Sequence, residues 1–181
     1  GEDLGRVRLY ATAIRSPQAS PMWLEEELCE YVSIPIGPSR DAIMGGFVDE
    51  ETFVEEAIRG IRWAAEAYSY VITRMKPYIV FAYFTEPDEV MHRMLGYLDP
   101  GSPFFDASRI SARRKLFEET CRALDDAAWR VWQAMGGPGQ TPMFIVGDHG
   151  FASVWKTANV NERLAQMGLY DPKDVAHSIA V

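Results

Sequence analysis

The chain has 181 residues, of which 48% are hydrophobic and 12% aromatic, enough to bury the core of one domain or of a large part of one. Its formal net charge of −8 argues against non-specific binding to nucleic acid or to anionic membrane, because both favour basic surfaces. The two cysteines, Cys29 and Cys121, form no CxxC pair and fit neither a disulfide framework nor a thiolate zinc site. No apolar run reaches membrane-spanning length and residues 1–20 show no signal-peptide core, which favours a cytoplasmic location.

The first part of the chain predicts a strand followed by two helices. Alternation in "RVRLYATAI" predicts a strand over residues 6–14. Prolines then punctuate residues 15–48, a peripheral segment in which one short helix is predicted over 22–32. Residues 49–75 carry the clearest helical pattern, because apolar residues recur at helical spacing and Asp49 is a suitable N-cap.

Buried strands and helices then alternate. The continuous apolar run "YIVFAYF" (78–84) predicts a strand covered on both faces, and a second such strand is predicted over 141–147. Amphipathic helices are predicted over 112–135 and 159–169, the second capped by an asparagine. This order predicts an α/β fold with a mainly parallel sheet flanked by helices.

An aspartate and a histidine follow each of these two predicted buried strands. Asp88 and His92 are one helical turn apart after the first strand, and Asp148 and His149 follow the second. If the strands are neighbours, the four side chains meet at the carboxyl edge of the sheet, where functional residues gather. Oxygen and nitrogen ligands without sulfur suit zinc, manganese or iron. Each pair also has a simpler interpretation, as a helix-start acid beside an exposed histidine or as a glycine-containing turn.

Two other clusters have plain structural interpretations. Arg113, Arg114 and Lys115 could meet a phosphate, but a solvated helix start is the favoured interpretation. Trp129 and Trp132 lie on an apolar stripe of the second long helix, which predicts core packing rather than a stacking platform for bases.

Three motifs together resemble one known family. "PDEVMH" (87–92), "YLDPGSP" (97–103) and "GDHGF" (147–151) are similar to motifs of the alkaline phosphatase superfamily, in its type I phosphodiesterase/nucleotide pyrophosphatase-like branch. The likeness extends over roughly residues 8–171. It implies an alkaline phosphatase-like core, of which residues 1–181 would be the central part of a single hydrolase domain. It also implies two divalent metal ions, zinc first and manganese as the alternative.

The resemblance assigns ligands residue by residue. Asp88 and His92 would bind one metal ion, and Asp148 and His149 the other. No residue of the chain matches the family's nucleophile, its first aspartate or its last histidine, so all three are expected outside residues 1–181. The isolated chain would then be inactive and would bind metal weakly at most.

Several nearby residues receive no ligand or catalytic role. His177 is too close to the Asp-His-Gly motif to match the family's last histidine. Thr85 and Ser153 are interpreted as a cap and a loop hydroxyl, and Tyr97 and Asp99 as site-adjacent or structural.

The resulting functional expectation is a metal-dependent phosphoric ester hydrolase that acts on a small phosphodiester or nucleotide. A related phosphotransferase or phosphomutase is the near alternative. A non-catalytic α/β scaffold with a vestigial metal site is the alternative from a different class.

Overall fold

In a computed structural model the described residues are 22–32, 38–156 and 158–171, and their regular structure is helical. The helices are α1 (Met22–Tyr31), α2 (Arg40–Met44), α3 (Glu50–Met75), α4 (Glu86–Leu98), α5 (Ile110–Ala134) and α6 (Val160–Gln166). The four helices predicted over 22–32, 49–75, 112–135 and 159–169 are confirmed to within two or three residues at each end.

Both ends of α3 are fixed by local chemistry. Asp49 has an extended backbone, and its carboxylate accepts a hydrogen bond from the Thr52 amide at 2.8 Å, as its predicted role of N-cap requires. At the other end Lys76 adopts the left-handed conformation (φ 49°) and its amide donates to the Ile72 carbonyl. The chain therefore leaves α3 abruptly and enters residues 77–85 in an irregular conformation.

The core lies where α3 packs against α4 and α5. Its first cluster joins α3 to α4 and α2, and its buried members are Ala42, Val48, Phe53, Val54, Ala57, Val90 and Met94. Its second cluster joins α3 to α5, through Ile61, Ala65, Ile72, Ala123, Ala127 and Val131. Burying a large apolar side chain such as Phe53 contributes about 1.5–3 kcal/mol relative to leaving it exposed. These contacts give α4 a fixed place on α3.

The core face of α5 is not the predicted one. The prediction placed Trp129 and Trp132 in the core, but Trp129 is 51% exposed. The buried face carries Ala123, Ala127 and Val131 instead. Small side chains let the axes of α3 and α5 approach closely, and the bulky indoles are left at the margin of that contact.

A second correction concerns the basic start of α5. Arg113 is buried rather than solvated, because its guanidinium binds the carboxylate of Glu50, with Nη2 2.8 Å from Oε1, and lies 4.1 Å from the centre of the Tyr97 ring. Arg109 also reaches Glu50, at 3.3 Å. The start of α5 is thereby attached to the first turn of α3.

The predicted parallel sheet is wrong for the described part of the chain, which contains no strand. Residues 78–84 and 142–147 are irregular, and they make no backbone–backbone hydrogen bonds within that part. Tyr78 and Phe81 are 101% and 94% exposed, the opposite of the predicted burial. A run of apolar residues indicates that its side chains tend to be buried. A strand also needs a neighbouring backbone in register with which to form hydrogen bonds. Within residues 22–32, 38–156 and 158–171, no backbone segment pairs with either run.

Several predictions fall outside the described residues. The predicted strand over 6–14 and His177 both lie there. Of the peripheral segment 15–48, α1 and residues 38–48 are described, and α1 packs on α3 through Leu24 and Leu28. No described helix combines the length and the apolar character that a bilayer crossing requires.

Candidate functional site

The first turn of α4 presents one half of the predicted site. Pro87 lies in the first turn, where a missing amide proton costs nothing, and Asp88 follows near the positive end of the helix dipole. Asp88 and His92 are one turn apart on α4, and His92 Nε2 lies 3.4 Å from Asp88 Oδ2. These two side chains therefore share one face of α4.

The second half of the predicted site, Asp148 and His149, is distant from α4 in the sequence but lies beside Asp88 in the structure. His149 Nε2 lies 3.7 Å from Asp88 Oδ1 and 3.8 Å from Asp148 Oδ1. The structure thus brings together the four predicted ligands, although no sheet edge carries them. We call them the candidate ligand set: Asp88, His92, Asp148 and His149.

The tautomer of His149 follows from its neighbour. His149 Nδ1 is 3.2 Å from the carbonyl oxygen of Gly150. A carbonyl oxygen can only accept, so Nδ1 carries the proton in this hydrogen bond. In the neutral imidazole Nε2 then bears the lone pair, and it faces Asp88.

Asp88 Oδ1 is the unsatisfied atom of the site. It is buried and has no hydrogen-bond partner among the described residues. Its neighbour at 3.7 Å, His149 Nε2, is also an acceptor when the imidazole is neutral. Two acceptors that face each other at 3.7 Å leave room for a hydrogen-bond donor or a cation that would satisfy both.

The spacing of these atoms can be compared with that of ligands on one ion. Two ligand atoms bound at about 2.1 Å in tetrahedral geometry are about 3.4 Å apart. The Asp88–His92 separation of 3.4 Å and the Asp88–His149 separation of 3.7 Å are close to this value. In the described part of the chain, however, no group of three or more His, Cys, Asp or Glu side chains is arranged to hold a metal ion. The donor types fit a divalent cation, and the arrangement is open.

Two aromatic residues support the candidate ligand set. The hydroxyl of Tyr83 donates to Asp148 Oδ2 at 3.1 Å, which lowers the pKa of Asp148 and raises that of Tyr83. The ring of Phe151 meets His92 edge-on, with centroids 4.8 Å apart, and lies 5.6 Å from the ring of His149. Neither residue was predicted from the sequence to belong to the site. Tyr83 lies within the apolar run 78–84, which predicted a buried strand, and Phe151 is only the last residue of the motif over 147–151.

The neighbouring polar residues are engaged elsewhere. Asp99 accepts hydrogen bonds from Ser153 and from the Gly101 amide, and both lower its pKa. The Thr85 hydroxyl bonds to the carboxylate of Glu86. The hydroxyls of Thr85 and Ser153 are therefore engaged with carboxylates outside the candidate ligand set.

Comparison with known proteins places the chain in a family. Neither the curated proteins nor the solved structures provide a match. A family model described as type I phosphodiesterase/nucleotide pyrophosphatase matches residues 18–180, a range that contains the whole candidate ligand set. This range covers most of the 181 residues and supports phosphoric ester hydrolysis as the kind of activity. The chain belongs to the type I phosphodiesterase/nucleotide pyrophosphatase family.

Proposed function

We propose that the protein is a metal-dependent phosphodiesterase whose candidate ligand set contributes to binding two divalent cations, with zinc as the first choice and manganese as the alternative. The observation that carries this proposal is that the two acid–histidine pairs lie together: His92 Nε2 is 3.4 Å from Asp88 Oδ2, His149 Nε2 is 3.8 Å from Asp148 Oδ1, and His149 Nε2 is also 3.7 Å from Asp88 Oδ1. Carboxylate oxygen and imidazole nitrogen are donors that both metals accept.

The candidate ligand set would hold the two cations on opposite sides of the site. Asp88 and His92 would hold one cation from α4, and Asp148 and His149 the other from the loop after residue 147. Bound divalent cations at such a site supply Lewis-acid stabilisation of the attacking and leaving oxygens. The carboxylates of Asp88 and Asp148 repel a phosphate anion unless their negative charge is offset. They therefore restrict where the phosphate of the substrate can bind.

The attacking group is not assigned to Thr85 or Ser153. Both hydroxyls are engaged with neighbouring carboxylates. We therefore expect residues 1–181 assayed alone to show no turnover above background. Robust turnover by this chain would contradict that assignment and make these two hydroxyls the first candidates.

The test compares variants of the full-length protein in hydrolysis of bis-p-nitrophenyl phosphate with added zinc or manganese. Asp148→Asn and His92→Ala should each lower the rate by several orders of magnitude, because losing one member of a catalytic unit costs nearly as much as losing all of them. The matched control is His177→Ala, which removes the remaining histidine of the chain and should leave the rate largely intact. Unchanged activity in both site variants would refute the proposal.

A second candidate function is a non-catalytic scaffold with a vestigial site. One observation favours it: the described residues form no group ready to hold a metal ion. Calorimetric titration of the full-length protein with zinc separates the two. A scaffold should bind no zinc at the candidate ligand set, so its binding isotherm should be the same before and after Asp88→Asn.

A further inference from the structure

Tyr83 links the candidate ligand set to the helical core. Its hydroxyl donates to Asp148 Oδ2 at 3.1 Å. Its own backbone is held by Tyr68 of α3, whose hydroxyl accepts from the Tyr83 amide at 3.0 Å and donates to the Tyr83 carbonyl at 3.1 Å. Tyr83 thus connects helix α3, through its backbone, to the carboxylate of Asp148 in an irregular segment, through its hydroxyl.

This connection determines which lone pairs of Asp148 remain available. Asp148 Oδ1 accepts from the amide of His149 at 3.0 Å, and Oδ2 accepts from Tyr83. One hydrogen bond on each oxygen fixes the plane of the carboxylate and leaves further acceptor capacity on both. Without the Tyr83 hydroxyl, Oδ2 would lose its fixed partner and the carboxylate could rotate.

We propose that Tyr83 is a positioning residue for Asp148, holding the carboxylate beside His149 and Asp88 in the orientation that a cation requires. Tyr68 acts one step further away by fixing the backbone of Tyr83. This inference rests on the proposed metal-dependent function. It adds two residues that would not touch the metal or the substrate.

The chain offers a matched set of substitutions. Tyr83→Phe removes only the hydroxyl, and the 62% exposure of the side chain means that the fold does not depend on it. Tyr68→Phe removes the support of the Tyr83 backbone. Tyr78→Phe makes the same chemical change in the same irregular segment, at a side chain that is fully exposed.

The first readout needs no metal. In full-length protein labelled at the aspartate carboxyl carbons, the Asp148 signal is assigned by its loss in Asp148→Asn. Tyr83→Phe should shift this signal and Tyr78→Phe should not. An Asp148 signal that is the same in wild type and Tyr83→Phe would overturn the inference, whatever the metal does.

The second readout is the zinc affinity, measured by competition with a chelator. Tyr83→Phe should weaken zinc binding by about tenfold, the usual effect of removing a group that orients a ligand. Tyr68→Phe should weaken it less, and Tyr78→Phe should leave it unchanged. Equal affinities in wild type and Tyr83→Phe would overturn the positioning role. Absence of zinc binding in the wild type would instead refute the proposed function itself, and with it the role of Tyr83 towards a metal.

Discussion

Glu86 is a half-buried acid two residues before Asp88, and burial disfavours its charged form. Its carboxylate lies against α3 at Gly60, where a Cβ would come within 2.7 Å of Oε1, so a larger residue at this position would require the Glu86 side chain to move. Burial raises the pKa of Glu86 above its ordinary value of 4.5, although hydrogen bonds from Thr85 and from its own amide act in the other direction. The folded state therefore holds the proton of Glu86 more tightly than the unfolded state does.

This raised pKa predicts how stability changes with pH. For an acid whose pKa is higher in the folded state, the stabilising contribution is present below pH 4.5 and is lost as the pH rises through the folded pKa. Glu86→Gln should remove this loss and raise the free energy of unfolding at pH 7 by about 1 kcal/mol. Urea unfolding of the metal-free wild type and of Glu86→Gln between pH 4 and pH 7 measures this difference in the free energy of unfolding.

The control is Glu89→Gln, which removes an acid from the same first turn of α4. It should not reproduce the gain. A free energy of unfolding that is lower in Glu86→Gln than in wild type at pH 7 would mean that the charged form is the favoured one.

At the scale of single residues, the sequence indicated the candidate ligand set because acid and histidine pairs stood out against a chain with three histidines. The structure places these four side chains together, and their role as ligands stays a prediction. Tyr83 and Arg113 could not be found in the same way. Their roles depend on partners 65 and 63 residues away, and no local pattern encodes such contacts.

At the scale of elements, two ion pairs join α3 to α5 in contrasting surroundings. Glu50–Arg113 is buried, with side chains 17% and 6% exposed, whereas Glu66–Arg130 is about half exposed. Both have short contacts, of 2.8 and 3.0 Å. The two helices therefore allow a buried pair joined by three hydrogen bonds to be compared with an exposed pair joined by one.

Breaking the buried pair should cost more. Glu50→Gln leaves Arg113 buried beside a neutral amide and should lower the free energy of unfolding by about 2 kcal/mol. Glu66→Gln, the matched control, should cost less than about 1 kcal/mol because water already screens that pair. Urea unfolding at pH 7 gives both values. Equally small losses would show that water reaches Glu50 as readily as Glu66.

Elements whose signals are local were predicted well. Asp49 caps α3 and Asn159 caps α6, and both cap signals lie within three residues of the amide that they bind. The two predicted buried strands, over 78–84 and 141–147, failed for the opposite reason, since a strand depends on a second segment that its own sequence does not specify. The helix α2 was not predicted, because five residues carry too short a pattern.

At the scale of the whole molecule, most side chains of the two apolar runs are exposed, and only Val80 and Phe84 among the described residues of these runs pack against the second core cluster. Tyr78, Ile79 and Phe81 are exposed in one irregular segment, and Phe144, Ile145 and Val146 in the other. Contiguous exposed apolar surface of this kind promotes binding to other apolar surfaces. Composition predicted enough apolar residues for a large core, but it could not tell which of them the core would contain.

We expect this surface to govern the solution behaviour of residues 1–181. Phe81→Ser combined with Phe144→Ser should lower the binding of a hydrophobic dye and reduce self-association in sedimentation experiments. The free energy of unfolding should change by no more than about 0.5 kcal/mol, because both side chains are exposed. The control is Met44→Ser, which removes an exposed apolar side chain from α2. An equal reduction in that control would show that the two segments have no special part in association.

The double hydrogen bond between Tyr68 and the backbone of Tyr83 has a consequence for hydrogen exchange. One phenol here satisfies the amide and the carbonyl of a single residue, as a neighbouring strand would. Within residues 78–84 the Tyr83 amide should therefore exchange with deuterium more slowly than the amides of Phe81 and Ala82. The factor should be roughly five- to tenfold, as expected for a hydrogen bond worth about 1 kcal/mol. In Tyr68→Phe all three amides should exchange at similar rates, and a Tyr83 amide that stayed slow would show that another group protects it.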